Sequence, residues 1–157
     1  EYIKLHIVRK YAYNTPHFRK IAEGIIYTIV ASLGFACMEN ILYVMQGSWP
    51  IALARGFTAV PMHAVCSGMM GYYIGKAKWA KTAREEKNSM NNGLWLAVVL
   101  HGLYDFILFY SPLVGSVFSF FIIAFVFWIY VKLKEKFSLA VKEDADHARD
   151  PRPTDAP

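Results

Sequence analysis

Six ionisable side chains stand among residues that are almost all apolar: Glu1, Lys4, Glu39, His63, His101 and Asp105. Carboxylates and imidazoles kept away from bulk water suit hydrolysis. A glutamate takes a proton from water, and a nearby histidine shares that water or steadies an oxyanion. His101 and Asp105 are four apart and project from one helical face. Other catalytic patterns are missing. No serine sits in a nucleophile-elbow pattern, and Tyr104-Asp105 supplies only one half of the aspartyl intramembrane type, without Gly-x-Gly-Asp. The HExxH signature of helical zinc proteases is absent as well. Two histidines and a carboxylate on separate helices are nonetheless a donor set for a divalent metal such as zinc, with His63, His101 and Glu39 as its candidates. No cofactor is otherwise indicated.

The elements that must carry these residues are membrane helices. Of 157 residues, 55% are hydrophobic and 18% charged, below the roughly 25% charged of soluble domains. No charge interrupts the run from Phe106 to Val131, longer than the roughly 18 apolar residues that read as membrane-spanning. Soluble, disordered and disulfide-stapled folds are excluded as the main reading. The expected fold is all-α: a polytopic transmembrane helical bundle with four full spans, at about 24–45, 51–75, 93–110 and 113–131. A partial helix at about 1–13 precedes them. Turn signals at Gly47-Ser48-Trp49-Pro50 and at Ser111-Pro112 separate the spans. Residues 1–136 form the membrane domain. Residues 137–157, charged and ending Pro-rich, form a tail expected to be disordered.

The formal net charge of +5 does not mark a nucleic-acid surface. Of the 17 basic residues, Arg55 alone falls outside three segments: before the first span, between the second and third, and after the fourth. Those segments share one side if each span crosses once, which makes them cytoplasmic, C-terminus included, and attractive to anionic lipid. Arg55 reads as an interfacial, snorkelling residue.

A charge at the bilayer centre costs roughly 2.5–3.5 kcal/mol, so each one needs a reason. At about 1.5 Å rise per residue, Glu39 and His63 lie roughly 22 and 18 Å from the inner ends of their spans. His101, Asp105 and Glu1 lie at roughly 12, 18 and 20 Å. Taken singly, each is a plain interhelical hydrogen-bond partner: Glu39-Asn40 could tie two helices, and Asp105 could pair with His101 or Lys4. Taken together, they line up at one level, and a shared polar pocket explains that economically. The small residues Ala64, Ser67, Gly68, Gly71 and Gly75 read as a face for close helix approach. Pro61 is a site for a kink. The phenylalanines 118, 120, 121, 125 and 127 read as a lipid-facing wall, and Cys37 and Cys66 as small buried hydrophobes.

These residues resemble a known family. Leu33-Gly34-Phe35-Ala36-Cys37-Met38-Glu39-Asn40 resembles the FxxxE(N) motif of the PrsW-type intramembrane proteases, themselves distantly similar to CAAX prenyl endopeptidases. Val60-Pro61-Met62-His63-Ala64 resembles their central histidine helix, and His101-Gly102-Leu103-Tyr104-Asp105 their HxxxD motif. Glu1-Tyr2-Ile3-Lys4 is similar to the end of their EExxK motif, with the first glutamate expected before residue 1.

The resemblance implies a multi-pass endopeptidase of the bacterial cytoplasmic membrane, acting on membrane-protein substrates of the anti-sigma-factor kind. In it Glu1 is the candidate general base and Lys4 supports its charge. Glu39, His63, His101 and Asp105 bind water, polarise the scissile carbonyl or order one another. A glutamate mechanism and a metal mechanism both stay open. The contrasting readings are a non-catalytic scaffold within a larger membrane complex, and a proton relay or transporter.

Overall fold

The structure is a computed structural model that describes residues 1–114 and 117–149, with side chains outside 110–119. Helices account for all regular structure among the described residues: α1 (Tyr2–Val8), continued by a π-helical stretch (Arg9–Tyr13), then α2 (Ile21–Met45), α3 (Trp49–Phe57), α4 (Ala59–Ala77), α5 (Ala83–Val114) and α6 (Val117–Arg149). By length and composition, Ile21–Met45 and the 83–109 part of α5 are apolar enough to cross a membrane.

α4 is the axis of the bundle. Most of its residues are buried, and α2, α5 and α6 pack around it. Glycines permit this. A Cβ on Gly71 would stand 2.5 Å from the carbonyl oxygen of Gly24, and one on Gly75 2.5 Å from that of Ile21. The α2 and α4 backbones therefore touch along the Gly71/Gly75 stripe, as small-xxx-small faces allow. On another face of α4, a Cβ on Gly93 would meet the Met70 carbonyl at 2.9 Å, which brings α5 in close. Met62, Cys66, Met69 and Tyr72 of α4 fill one core with Ile25, Leu100, Ile129 and Leu133. Met70 and Ile74 fill a second with Leu5, Val8, Phe18 and Ala97. That second core seats α1 against the bundle.

The structure corrects several expectations. The span expected at 51–75 is two helices, broken at Thr58 (φ −121°, ψ −64°). Ser111-Pro112 is no turn: α5 runs through it to Val114, where a proline so near the helix end removes only one amide donor. The expected disordered tail is helical through Arg149, and residues 150–157 lie outside those described.

Residues 137–149 are helical because they have partners. Asp144 accepts the backbone N–H groups of Ile21 (2.6 Å) and Ala22 (3.0 Å), capping α2 from a distant part of the chain. Glu143 accepts the Tyr72 hydroxyl at 3.1 Å, and the His147 ring stacks on Trp79 with centroids 3.7 Å apart. Cys37 is exposed on the bundle surface, not buried; Cys66 is buried as expected. Of the phenylalanine wall, 120, 121 and 127 face outward, Phe125 packs on the core, and the Phe118 side chain lies outside those described.

Candidate active site

Three helices converge where α1 meets the middle of the bundle. Glu1 stands at the N-terminal end of α1, His63 one turn into α4, and His101 in the middle of α5. Lys4, three residues after Glu1, points the same way and is 1% exposed. Its ammonium lies 2.5 Å from Glu1 Oε1 and 3.0 Å from His63 Nδ1. His101 Nδ1 is 2.8 Å from the same Glu1 oxygen. The two imidazole rings meet edge to face, with centroids 4.7 Å apart.

Glu39 approaches His63 from the opposite side, its Oε2 2.8 Å from Nε2. Five of the six predicted residues thus form one continuous hydrogen-bonded chain. Asp105 stands at its edge: its Oδ2 is 3.8 Å from His101 Nε2, beyond hydrogen-bonding reach, and its side chain is 48% exposed.

The donors and acceptors assign the rings. An ammonium has protons and no lone pair, so Lys4 donates to His63 Nδ1. His63 therefore carries its proton on Nε2 and donates it to Glu39. A carboxylate only accepts, so His101 donates from Nδ1 to Glu1, which leaves its Nε2 on the side facing the half-exposed Asp105. The exposures set an inside and an outside. The Glu1 and Lys4 side chains are 3% and 1% exposed, whereas His101 and Glu39 are 21% and 36% exposed. A buried ion pair is tolerable only when its remaining valences are satisfied, and here the two histidines satisfy them.

The sequence reading missed several contributors. Ser67, one turn beyond His63, places its hydroxyl 3.2 Å from Glu1 Oε2 and 2.8 Å from the Ser32 hydroxyl. Ser32 in turn donates to the His63 carbonyl at 2.8 Å. By sequence Ser67 reads as a packing residue, although its i,i+4 spacing from His63 puts both on one face. The Phe35 ring packs against the cluster, with Lys4 5.3 Å above its centroid and the His63 ring edge-on at 5.8 Å.

Arg55 is not a snorkelling residue. Only 15% exposed, it turns inward and donates from Nη2 to Glu39 Oε2 at 2.9 Å and from Nε to Asn40 Oδ1 at 3.2 Å. Pairing with a half-open carboxylate outweighs solvation at the interface once the break at Thr58 gives α3 its own direction.

Glu1, His63 and His101 each place a potential ligand atom within 4.8 Å of the others. Two imidazoles and one carboxylate are a donor set that suits zinc. Glu39, expected as the third donor, lies on the far side of His63, engaged by Arg55, and Glu1 takes its place. The residues fit such an ion in kind. Lys4 already donates to two of the three, so an ion joining all three would displace those hydrogen bonds.

The chain is thus an all-helical protein with a buried acid–base cluster held between apolar helices. Residues 1–131 match the model of the PrsW family intramembrane metalloproteases, and the chain belongs to that family. It is similar to the protease PrsW of Halalkalibacterium halodurans, 40% identical over 69% of this chain and 49% of that protein. Those of Geobacillus kaustophilus and Bacillus subtilis are each 37% identical over 69% of this chain, covering 47% and 49% of their own lengths. The chain thus spans about half the length of the curated relatives it matches. No solved structure matches it.

Proposed function

We propose that this chain carries the hydrolytic centre of an intramembrane endopeptidase that cuts membrane-protein substrates, with His101 and Glu1 as its acid–base pair. One observation carries the reading: the buried Glu1 carboxylate accepts the Nδ1–H of His101 and leaves Nε2 as the ring's free base at the open edge of the site. Nε2 takes a proton from a water molecule, whose oxygen adds to the scissile carbonyl carbon. Glu1 stabilises the imidazolium that forms, as a buried carboxylate does behind a catalytic histidine. The imidazolium then gives its proton to the departing amine. Glu1 is therefore assigned to support the base instead of being the base itself, because its Oε1 already accepts from Lys4 and His101. Lys4 offsets its buried charge. Glu39 holds the His63 tautomer, and Asp105 borders the mouth.

The metal reading rests on the convergence of Glu1, His63 and His101. A divalent ion held by those three would supply Lewis-acid polarisation of water or carbonyl. α2, α4, α5 and α6 are assigned as the four membrane crossings, with both the α4–α5 loop at residues 78–82 and the C-terminus cytoplasmic, on the strength of the basic-residue distribution.

The test is cleavage of a fluorogenic transmembrane peptide by the full-length protein in proteoliposomes. Wild type should cleave; Glu1→Gln and His101→Ala should not, when compared at matched amounts of folded protein. Full turnover by either variant would overturn the assignment. An inactive wild type whose His63 and Glu39 variants lose only stability or partner assembly would favour the scaffold instead. Stoichiometric metal in the purified protein, with chelator-sensitive turnover, selects the metal mechanism; an active metal-free preparation selects the glutamate–histidine one.

A further inference from the structure

α3 is unlike the other helices. It has nine residues, of which Ala52 alone is buried, while Trp49, Leu53 and Phe57 are 67%, 68% and 79% exposed. It begins after Gly47, whose φ of +77° is left-handed, and ends at the break at Thr58. Backbone freedom at both ends and a thin apolar contact mean that packing alone does not fix its position.

Its side-chain polar ties run to α2. Arg55 donates to Glu39 and Asn40, Asn40 donates to the Ala52 carbonyl at 3.3 Å, and the guanidinium lies 4.3 Å above the Tyr43 ring. The oxygen that Arg55 grips, Glu39 Oε2, is the one that accepts the His63 Nε2 proton.

We propose that Arg55 is a positioning residue: it holds the Glu39 carboxylate against His63, fixes that ring's tautomer, and so couples the seating of α3 to the order of the buried site. The reasoning follows the hydrogen bonds. Glu39 is 36% exposed, and without Arg55 its carboxylate can turn to the open side. His63 then loses the acceptor that keeps its proton on Nε2. With the proton on Nδ1, His63 can no longer accept from Lys4, and the ammonium that neutralises Glu1 loses one of its two partners. Partners that orient a metal-ligating imidazole in this way typically govern about 10- to 100-fold of affinity or activity, and the same order is expected where His63 is held only by hydrogen bonds. Arg suits the role because its planar fork meets Glu39 and Asn40 at once, which a lysine cannot do.

The inference rests on the hydrolytic reading for its kinetic arm but not for its spectroscopic one. In the proteoliposome assay, Arg55→Gln should lower kcat by about 10- to 100-fold with KM little changed, and Arg55→Lys should fall between. The double variant Arg55→Gln/Glu39→Gln should be no slower than Glu39→Gln alone, since the two act through one path. Effects that multiply, or a lowered melting temperature with kcat intact, would overturn the proposal.

In parallel, side-chain ¹⁵N NMR of histidine-labelled full-length protein reads the His63 tautomer directly. The Nε2–H form should dominate in wild type and give way to a mixture in Arg55→Gln; an unchanged spectrum overturns the proposal. Should wild type cleave nothing, the hydrolytic reading fails while the tautomer measurement still decides the role of Arg55.

Discussion

Glu1 Oε1 accepts a hydrogen bond from His101 Nδ1 at 2.8 Å across one hundred positions of chain. The contact joins the N-terminal end of α1 to the middle of α5. It also leaves Nε2 as the His101 nitrogen that does not face Glu1.

Glu1→Gln keeps the size of the side chain but removes the charge that stabilises an imidazolium at His101. General acid–base assistance is worth about 10²- to 10⁴-fold, and a loss of that order in kcat per folded molecule is expected, with a lower melting temperature as well, because the 1%-exposed Lys4 ammonium loses its counter-charge. Single-turnover cleavage alongside a melting curve checks it.

Lys4→Met should act chiefly through stability. It leaves the 3%-exposed Glu1 carboxylate without its cation, and removing one partner of a buried pair costs about 3–5 kcal/mol. The variant should unfold at markedly lower denaturant than wild type. Lys4→Met/Glu1→Gln should recover much of the loss, because the stranded charge is then gone.

Asp105→Asn should be mild. The carboxylate is half exposed and too far from His101 for a hydrogen bond, so a fall in kcat much smaller than that of Glu1→Gln is expected under the same assay. An equally large loss would move Asp105 into the catalytic set.

Gly71→Ala drives a methyl group against the Gly24 backbone, which cannot move aside as a side chain could. Overpacking of this kind costs about 1–3 kcal/mol. Gly34→Ala is the matched control, since nothing lies within 4 Å of its added Cβ. Relief of glycine's chain entropy in a helix should make it neutral or more stable by up to about 1 kcal/mol.

Asp144→Ala removes the cap that α6 places on the first amides of α2, at about 0.5–2 kcal/mol. Limited proteolysis should cut the 137–149 segment faster in this variant, whereas equal rates would show that the cap contributes nothing to its docking.

Residue types and spacing alone mark most of the side chains that meet, Asp105 excepted. Glu39, His63 and His101 are costly anywhere in an apolar helix except against one another, and helical rise alone put them at a common depth with Glu1. The glycine stripe on α4 was legible for the same kind of reason, because small residues four apart on an apolar helix have little use other than close approach. Tertiary structure decided the rest. Whether Glu39 or Glu1 joins the two histidines depends on the rotation of α2 about its axis, which residue types do not encode. Arg55 could be placed inside the site only once the chain was seen to break at Thr58. Residues 137–149 look disordered by composition, because a charged segment cannot bury enough surface alone. They are helical because the amides that Asp144 satisfies, the Tyr72 hydroxyl and the Trp79 ring belong to helices far away in the chain.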